Sequence, residues 1–220
     1  MKIALISANC GDFDPQFVWE EQIVPDGCEL SIHRLNDENW PLRHRSMTAK
    51  LQPGIAKMLG WQMFPKNDIY IWMDASRTLI RSDFVTWMIS NLADANMALF
   101  LHPERSTIRS EYEFVKEHVQ KKSRYLHSRY SEEWLDEQME VIEADPFYID
   151  DTLYASTALI YKPTESVKKA MIDWWYHKTR YLIHDQLALP YVVWKHGVKV
   201  NKLKDDIYNI PYWIHTRNQR

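Results

Sequence analysis

The sequence predicts an α/β fold: a mainly parallel central sheet flanked by helices, in a single domain over residues 1–220. Three observations predict it. Short apolar runs recur at the length of buried strands. Segments with apolar residues at helical spacing fall between them. The strongest strand candidate is apolar throughout, as a strand covered on both faces must be.

The elements follow in order. Lys2 to Ser7 reads as a first buried strand running into the small and polar residues Asn9-Cys10-Gly11-Asp12, and Glu29–Arg34 as a second. Met47 to Phe64 has helical spacing but contains Pro53-Gly54, which predicts a break there. Ile69–Met73 is the central strand. Ser82 is positioned to cap a helix whose stripe is Phe84, Val85, Met88, Ile89 and Leu92. Met97–Leu101 and Thr152–Tyr161 are further strands, separated by a stretch read as irregular. Thr164 precedes a helix carrying Val167, Ala170, Met171, Trp174 and Trp175. Leu187 to Lys195 is helical with Gly197 ending it, and Val198–Leu203 is the last strand.

Composition narrows the function. With 45% hydrophobic and 26% charged residues the chain has a globular balance, which counts against extended disorder. A formal charge of −3 counts against a uniformly basic coat protein. Five glycines leave little material for a phosphate-cradling loop, and no G-x-G-x-x-G, P-loop, G-x-S-x-G or H-E-x-x-H occurs. Two cysteines, Cys10 and Cys28, make neither a disulfide scaffold nor a four-ligand zinc site, and fit a reducing compartment. No run approaches the roughly 18 apolar residues of a membrane span. A cytoplasmic protein with no transmembrane segment is expected.

Charge is unevenly distributed. Residues 116–130 hold five Lys/Arg against one Glu, whereas residues 131–151 hold nine Asp/Glu and no Lys/Arg. Two solvated faces that pair with one another explain this; so does a basic lip beside a cleft for a polyanion.

The candidate chemistry starts at Asp74. It ends the central strand, and ligands of open α/β sheets bind beyond the carboxyl ends of strands. Asp74 and Ser76 are two apart in extended chain, so both can face one ion or one sugar. A carboxylate there suits Mg²⁺ or Mn²⁺ bridging a diphosphate; an Asp that caps the turn is the simpler alternative. Arg43, Arg45, Lys50 and Lys57 precede the strand, where cations would stabilise a diphosphate leaving group or lie on a solvated helix. His102 and Arg105 follow the next strand and could line the same cleft. His184-Asp185-Gln186 stands at a helix start, where an Asp also serves as a cap.

Taken together, Tyr70-Ile71-Trp72-Met73-Asp74-Ala75-Ser76, Arg45 with Lys50 and Lys57, His102-Pro103-Glu104-Arg105, the run Leu153 to Lys162 and the run Ile183 to Lys195 resemble the TOD/MUCI-like glycosyltransferase family, over roughly residues 43–203. The resemblance implies a GT-A-like (Rossmann-like) domain, with a possible acceptor-side insertion at about 106–151. It implies a hexosyl- or pentosyltransferase that takes a nucleotide-sugar, a UDP-sugar most often. Asp74 and Ser76, with His215 from the chain's end, would hold Mn²⁺ or Mg²⁺. Ser76 departs from the second Asp of stronger metal sites. Asn9, Asp12, Arg45, Lys50 and Arg217 would contact the donor, and His102 and Arg105 the acceptor. Asp185, with His184 either beside it or hydrogen-bonded in the core, would act as general base toward the acceptor hydroxyl or orient the donor.

The acceptor is open: a glycan, a lipid-linked sugar, a protein or a DNA base. Tyr125 and Tyr130 among the cations of 116–130 are the kind of surface a DNA-modifying transferase of phage type would use. A non-catalytic glycan- or partner-binding module of the same fold is the third reading.

Overall fold

The structure, a computed structural model, describes residues 1–11, 13–15, 17–41 and 47–216. A six-stranded sheet is built from β1 (Lys2–Asn9), β2 (Glu29–Asn36), β3 (Ile69–Met73), β5 (Met97–Leu101), β6 (Tyr154–Tyr161) and β7 (Val200–Leu203), in the order β2-β1-β3-β6-β5-β7. β1 pairs in parallel with β2 and β3, and β5 in parallel with β7; β6 alone runs antiparallel, between β3 and β5. The fold is therefore α/β with a mainly parallel sheet, as the sequence predicts. A separate two-stranded ladder joins β4 (Arg77–Leu79) to β8 (Trp213–His215), with Arg77 opposite His215.

Strand alternation divides the core in two. Ala4 and Ile6, Tyr70 and Trp72, Met97 and Leu99, and Leu159 and Tyr161 face one layer of helices. That layer contains α1 (Gln52–Met63), α3 (Ile108–Gln120), α4 (Arg124–Tyr130), α5 (Leu135–Glu143), α6 (Glu165–Arg180) and α7 (Ala188–Lys195). Ile3 and Leu5, Ile69 and Ile71, Ala98 and Phe100 face the other side, covered by α2 (Phe84–Leu92), Trp19 and Trp213. The period of two that defines a strand thus places Trp72 on the α1/α6 side of β3.

Several boundaries differ from expectation for identifiable reasons. Pro53 does not break a helix; it lies in the first turn of α1, where its missing N–H has no helical partner to lose. The irregularity comes later, at Leu59 (φ −114°, ψ 18°), beside Gly60, whose missing side chain lets α1 approach Ile6. α2 is preceded by Asp83 rather than Ser82, and the Asp83 carboxylate pairs with Arg81 at 2.7 Å instead of capping. Thr164 does cap α6, accepting from the Val167 N–H. β6 starts at Tyr154, two residues later than expected.

The stretch 106–151, read as irregular, contains α3, α4 and α5. Thr107 and Ser110 form a reciprocal cap on α3, and the Asp150 carboxylate accepts from the Ile108 and Arg109 N–H groups. Its basic and acidic halves meet where Lys116 of α3 reaches Asp136 of α5 at 3.0 Å, while Lys121 pairs with Glu117 inside the basic half. Among the described residues, no helix is long and apolar enough to cross a membrane.

Candidate functional site

β1 leads to β2 on one side of it and the chain returns through α1 to β3 on the other, so the sheet's switch point lies between the carboxyl ends of β1 and β3. Asn9 and Asp74 stand at that crevice. The Asp74 N–H is fixed by the carbonyl of Thr157 on β6 at 2.8 Å. Its Oδ1 accepts from Trp72 Nε1 at 2.7 Å, the same-face neighbour two residues back.

Lys57 of α1 points into this crevice and is only 5% exposed. Its Nζ lies 2.8 Å from Asp185 Oδ2 and 3.4 Å from Asp74 Oδ1, and it sits 5.6 and 5.7 Å from the ring centroids of Trp72 and Trp174. Asp185 is fixed from every side. Ser156 donates to Oδ1 at 2.8 Å, Lys178 approaches Oδ2 at 3.9 Å, and Trp174 Nε1 donates to the Asp185 carbonyl at 2.7 Å. Lys178 also donates to the Ile183 carbonyl, which orients the loop leading to Asp185. Burial raises the affinity of the Asp185 carboxylate for a proton, but the Lys57 and Lys178 ammonium groups and the Ser156 hydroxyl outweigh it. The carboxyl is held well below the usual carboxylate range. Burial acts to discharge Lys57 too, and its two carboxylates reverse that, so its pKa is raised and the ammonium is kept. Lys178, whose nearest carboxylate is Asp185 at 3.9 Å, has its pKa lowered by burial.

The sequence groups Lys57 with cations that face a diphosphate or lie on a solvated helix; in the structure it joins two carboxylates. Lys50 lies nearby but donates to the Ser128 carbonyl on α4 at 3.1 Å. Asn9 is buried, and its side chain is engaged with the Asp14 backbone, which shapes the loop after β1. Asp12, Arg43, Arg45 and Arg217 lie outside the described residues.

His184 does not share the crevice with Asp185. Its ring is buried, with Nε2 2.7 Å from Glu111 Oε1 and Nδ1 3.2 Å from the Tyr130 hydroxyl. Glu111 also accepts from Arg105, whose guanidinium covers Phe114 and approaches His102 Nε2 at 3.2 Å. Burial of Glu111 would raise its pKa, but His184 and Arg105 bring it down to about 2. His102, Arg105, Glu111, His184 and Tyr130 thus form one buried polar chain behind the site. Its outer end opens on a cavity of about 370 Å³ lined by His102, Arg105, Asp151 and Lys202, at the carboxyl ends of β5 and β7.

The turn from Asp74 to Ser76 is held by the end of the chain: Thr216 N–H donates to the Ser76 carbonyl, and His215 is opposite Arg77. His215 therefore comes alongside the Asp74 turn. Among the described residues, no group of three or more His, Cys, Asp or Glu is placed to hold a metal ion. Asp74 is half-exposed, and its Oδ1 is occupied by Trp72 and Lys57, which leaves Oδ2 for an ion. That donor set fits an ion arriving on a diphosphate, because Mg²⁺-like ions need only one or two protein carboxylates when phosphates complete the shell.

Sequence reasoning missed Ser156, Trp174, Lys178 and Glu111. Ser156 and Lys178 carry no local signal, whereas the Trp174 position at helical spacing marks only its burial.

No protein-family model matches the chain. No curated protein matches it either. Among solved structures, it is similar to a glycosyltransferase involved in the glycosylation of the major capsid of PBCV-1, at 9% identity and a TM-score of 0.47, covering 97% of this chain and 91% of that one. Mouse xyloside xylosyltransferase 1 is similar at 10% identity and a TM-score of 0.45, over 92% of this chain and 85% of that one. The bifunctional glycosyltransferase WbbM is similar at 13% identity and a TM-score of 0.44, over 79% of this chain and 28% of WbbM.

Proposed function

We propose that the chain is a GT-A-type glycosyltransferase that moves a hexosyl or pentosyl group from a nucleotide-sugar, with UDP as the favoured carrier, to an acceptor hydroxyl. The observation that supports this best is the Asp74–Lys57–Asp185 bridge at the sheet's switch point. Glycosyl transfer breaks the bond between the anomeric carbon and the diphosphate. Positive charge grows on the sugar and negative charge on the leaving group. A site for it needs fixed charges of both signs a few ångströms apart, already oriented before reaction. Asp185 and Lys57 are such a pair, 2.8 Å apart and held by Ser156, Lys178 and the two tryptophans.

The acidity of Asp185 shapes its role. A carboxylate so weakly basic is a poor acceptor for a hydroxyl proton near neutral pH. Asp185 is thus assigned to orienting the donor and stabilising the sugar's developing charge. Asp74, through Oδ2, would hold a Mn²⁺ or Mg²⁺ ion carried in on the diphosphate, with Ser76 and His215 alongside. When bound, the ion neutralises charge on the leaving group. The loop after β1, kept in shape by Asn9 and by the Gly11 N–H bonded to Asp37 Oδ2, flanks the place for the nucleoside.

The test is thermal stabilisation by UDP, GDP, CDP and ADP and by their sugar conjugates, each with and without Mn²⁺. A ligand at about 100 times its Kd adds about 2.7 kcal/mol. In a chain of this size that is a rise of about 5–10 °C. A Mn²⁺-dependent rise with one nucleotide, lost in Asp74→Asn, is expected. No rise with any of them overturns the proposal and leaves the binding-module reading, which glycan panels then address.

A further inference from the structure

Arg129, in the last turn of α4, has no carboxylate within 4 Å among the described residues. Its Nη1 donates to the Tyr125 hydroxyl at 3.0 Å, and its Nε is buried with no hydrogen-bond partner. The guanidinium carbon lies 5.3 and 5.8 Å from the ring centroids of Tyr125 and Tyr130. Asp185 and Lys178 are both within its electrostatic reach.

Its cationic neighbours are provided for. Lys57 has two carboxylates, Lys178 has the Ile183 carbonyl and Asp185, and Lys50 has the Ser128 carbonyl. The Glu133 carboxylate, also in this neighbourhood, is engaged with the Ile183 N–H at 3.1 Å. Among the described residues, four cations, Lys50, Lys57, Arg129 and Lys178, thus meet three anions, Asp74, Glu133 and Asp185, and Arg129 is the one of the four with no bond to a carboxylate or a carbonyl.

A buried N–H without an acceptor is costly, and such groups in native structures call for an explanation. The position of Arg129 supplies one. α4 is tied to the loop carrying Asp185 by the Tyr130–His184 contact and by the Glu133–Ile183 bond, and to the chain entering α1 by Lys50. Arg129 is therefore fixed at the wall of the crevice, its planar fork against two aromatic rings. A guanidinium so held matches the two oxygens of a phosphoryl group.

We infer that Arg129 is a phosphoryl-binding residue of the substrate site, its buried Nε–H reserved for an oxygen that the substrate brings. The inference rests on the proposed crevice being that site. The phosphoryl group is either the donor's diphosphate or a phosphate on the acceptor.

The test compares the wild-type chain with Arg129→Gln and Arg129→Lys by calorimetric titration. The probes are inorganic pyrophosphate, UDP, uridine, and inorganic phosphate added in the presence of saturating UDP. Arg129→Gln is expected to weaken pyrophosphate or phosphate binding by about 10- to 100-fold. Arg129→Lys is expected to restore it only in part, since an ammonium lacks the fork. A matching loss for UDP but not uridine assigns the donor diphosphate. A loss confined to phosphate on top of UDP assigns the acceptor. Without ligand, Arg129→Gln should melt close to wild type, because the loss of the Tyr125 bond and the ring contacts is offset by removal of the unpartnered Nε–H.

Affinities within twofold of wild type for every probe overturn the inference, and so does a ligand-free melting point several degrees lower, which marks Arg129 as structural. The two proposals fail separately. Arg129-dependent binding of pyrophosphate with no binding of any nucleotide keeps the inference and removes the nucleotide-sugar reading. Asp74-dependent UDP binding that Arg129→Gln leaves intact, together with intact phosphate binding, does the reverse.

Discussion

Lys57 and Asp185, 128 residues apart in sequence, meet at 2.8 Å beneath the indole rings of Trp72 and Trp174. The contact joins α1 to the loop between α6 and α7 and fixes the charge of both groups.

The first prediction concerns what this pair is worth. Lys57→Met leaves the Asp185 carboxylate buried with only Lys178 at 3.9 Å and Ser156 to hold it. Breaking one partner of a buried pair costs about 3–5 kcal/mol. Urea denaturation at pH 7 should show a loss in that range. Adding Asp185→Asn should recover at least half of it, since the stranded charge is then gone. Strictly additive losses would refute the coupling.

Asp185→Asn alone separates a charge-stabilising role from a proton-accepting one. Hydrolysis of the donor identified by thermal shift should slow by about 10²- to 10³-fold. The acid limb of the rate–pH profile near neutrality should stay in place, because the native carboxylate titrates far below it. If that limb disappears in the variant, Asp185 is the base after all.

Acid stability should fall in two steps. Burial between α5 and α6 brings His177 down from 6.5 to about 4, so between those values the unfolded chain binds a proton that the folded chain does not. Stability from this group is complete above pH 6.5 and is lost as the pH falls toward 4, on the order of 3 kcal/mol at most. Glu111, brought from 4.5 to about 2, contributes stability that is present above pH 4.5 and lost as the pH falls to about 2. Melting temperatures of wild type and His177→Gln over pH 7 to 4 should converge as the pH falls. Parallel curves would mean that His177 is not buried neutral.

Gly54 tests how closely α1 and α6 approach. A Cβ there would lie 2.6 Å from Lys178 Cε and 2.9 Å from the Trp175 ring. Alanine gains up to about 1 kcal/mol of helix propensity over glycine. Pushing Lys178 off the Ile183 carbonyl should cost about 1–3 kcal/mol. Gly54→Ala should therefore melt lower than wild type; a higher melting point would show that the two helices have room to part.

Asp74 is legible as a crevice residue because it ends an apolar strand and the carboxyl ends of such strands face the crevice, although a turn cap reads the same. Asp185 is legible through the motif around it. Lys57 is not, since helical spacing shows which residues share a face but not what packs across from it. The same limit leaves His184 open between the site and the core: its partners, Glu111 and Tyr130, come from a region in which charge masks the helical pattern. The stripe Ile108, Tyr112 and Val115 was nevertheless present there at intervals of four and three. β4 and β8, three residues each, are too short for a period of two to register.

The place of β6 gives the site a history as well as a geometry. The ribosome delivers β1, β2, α1, β3 and β5 before it, yet β6 belongs between β3 and β5. Until residues 154–161 emerge, the nascent chain exposes two apolar strands side on, each able to recruit a stranger's backbone. Lys57 remains one carboxylate short until residue 185 has also left the exit tunnel. Translation stalled before that codon leaves a polypeptide with five of the six strands of the sheet and without the carboxylate that closes the crevice.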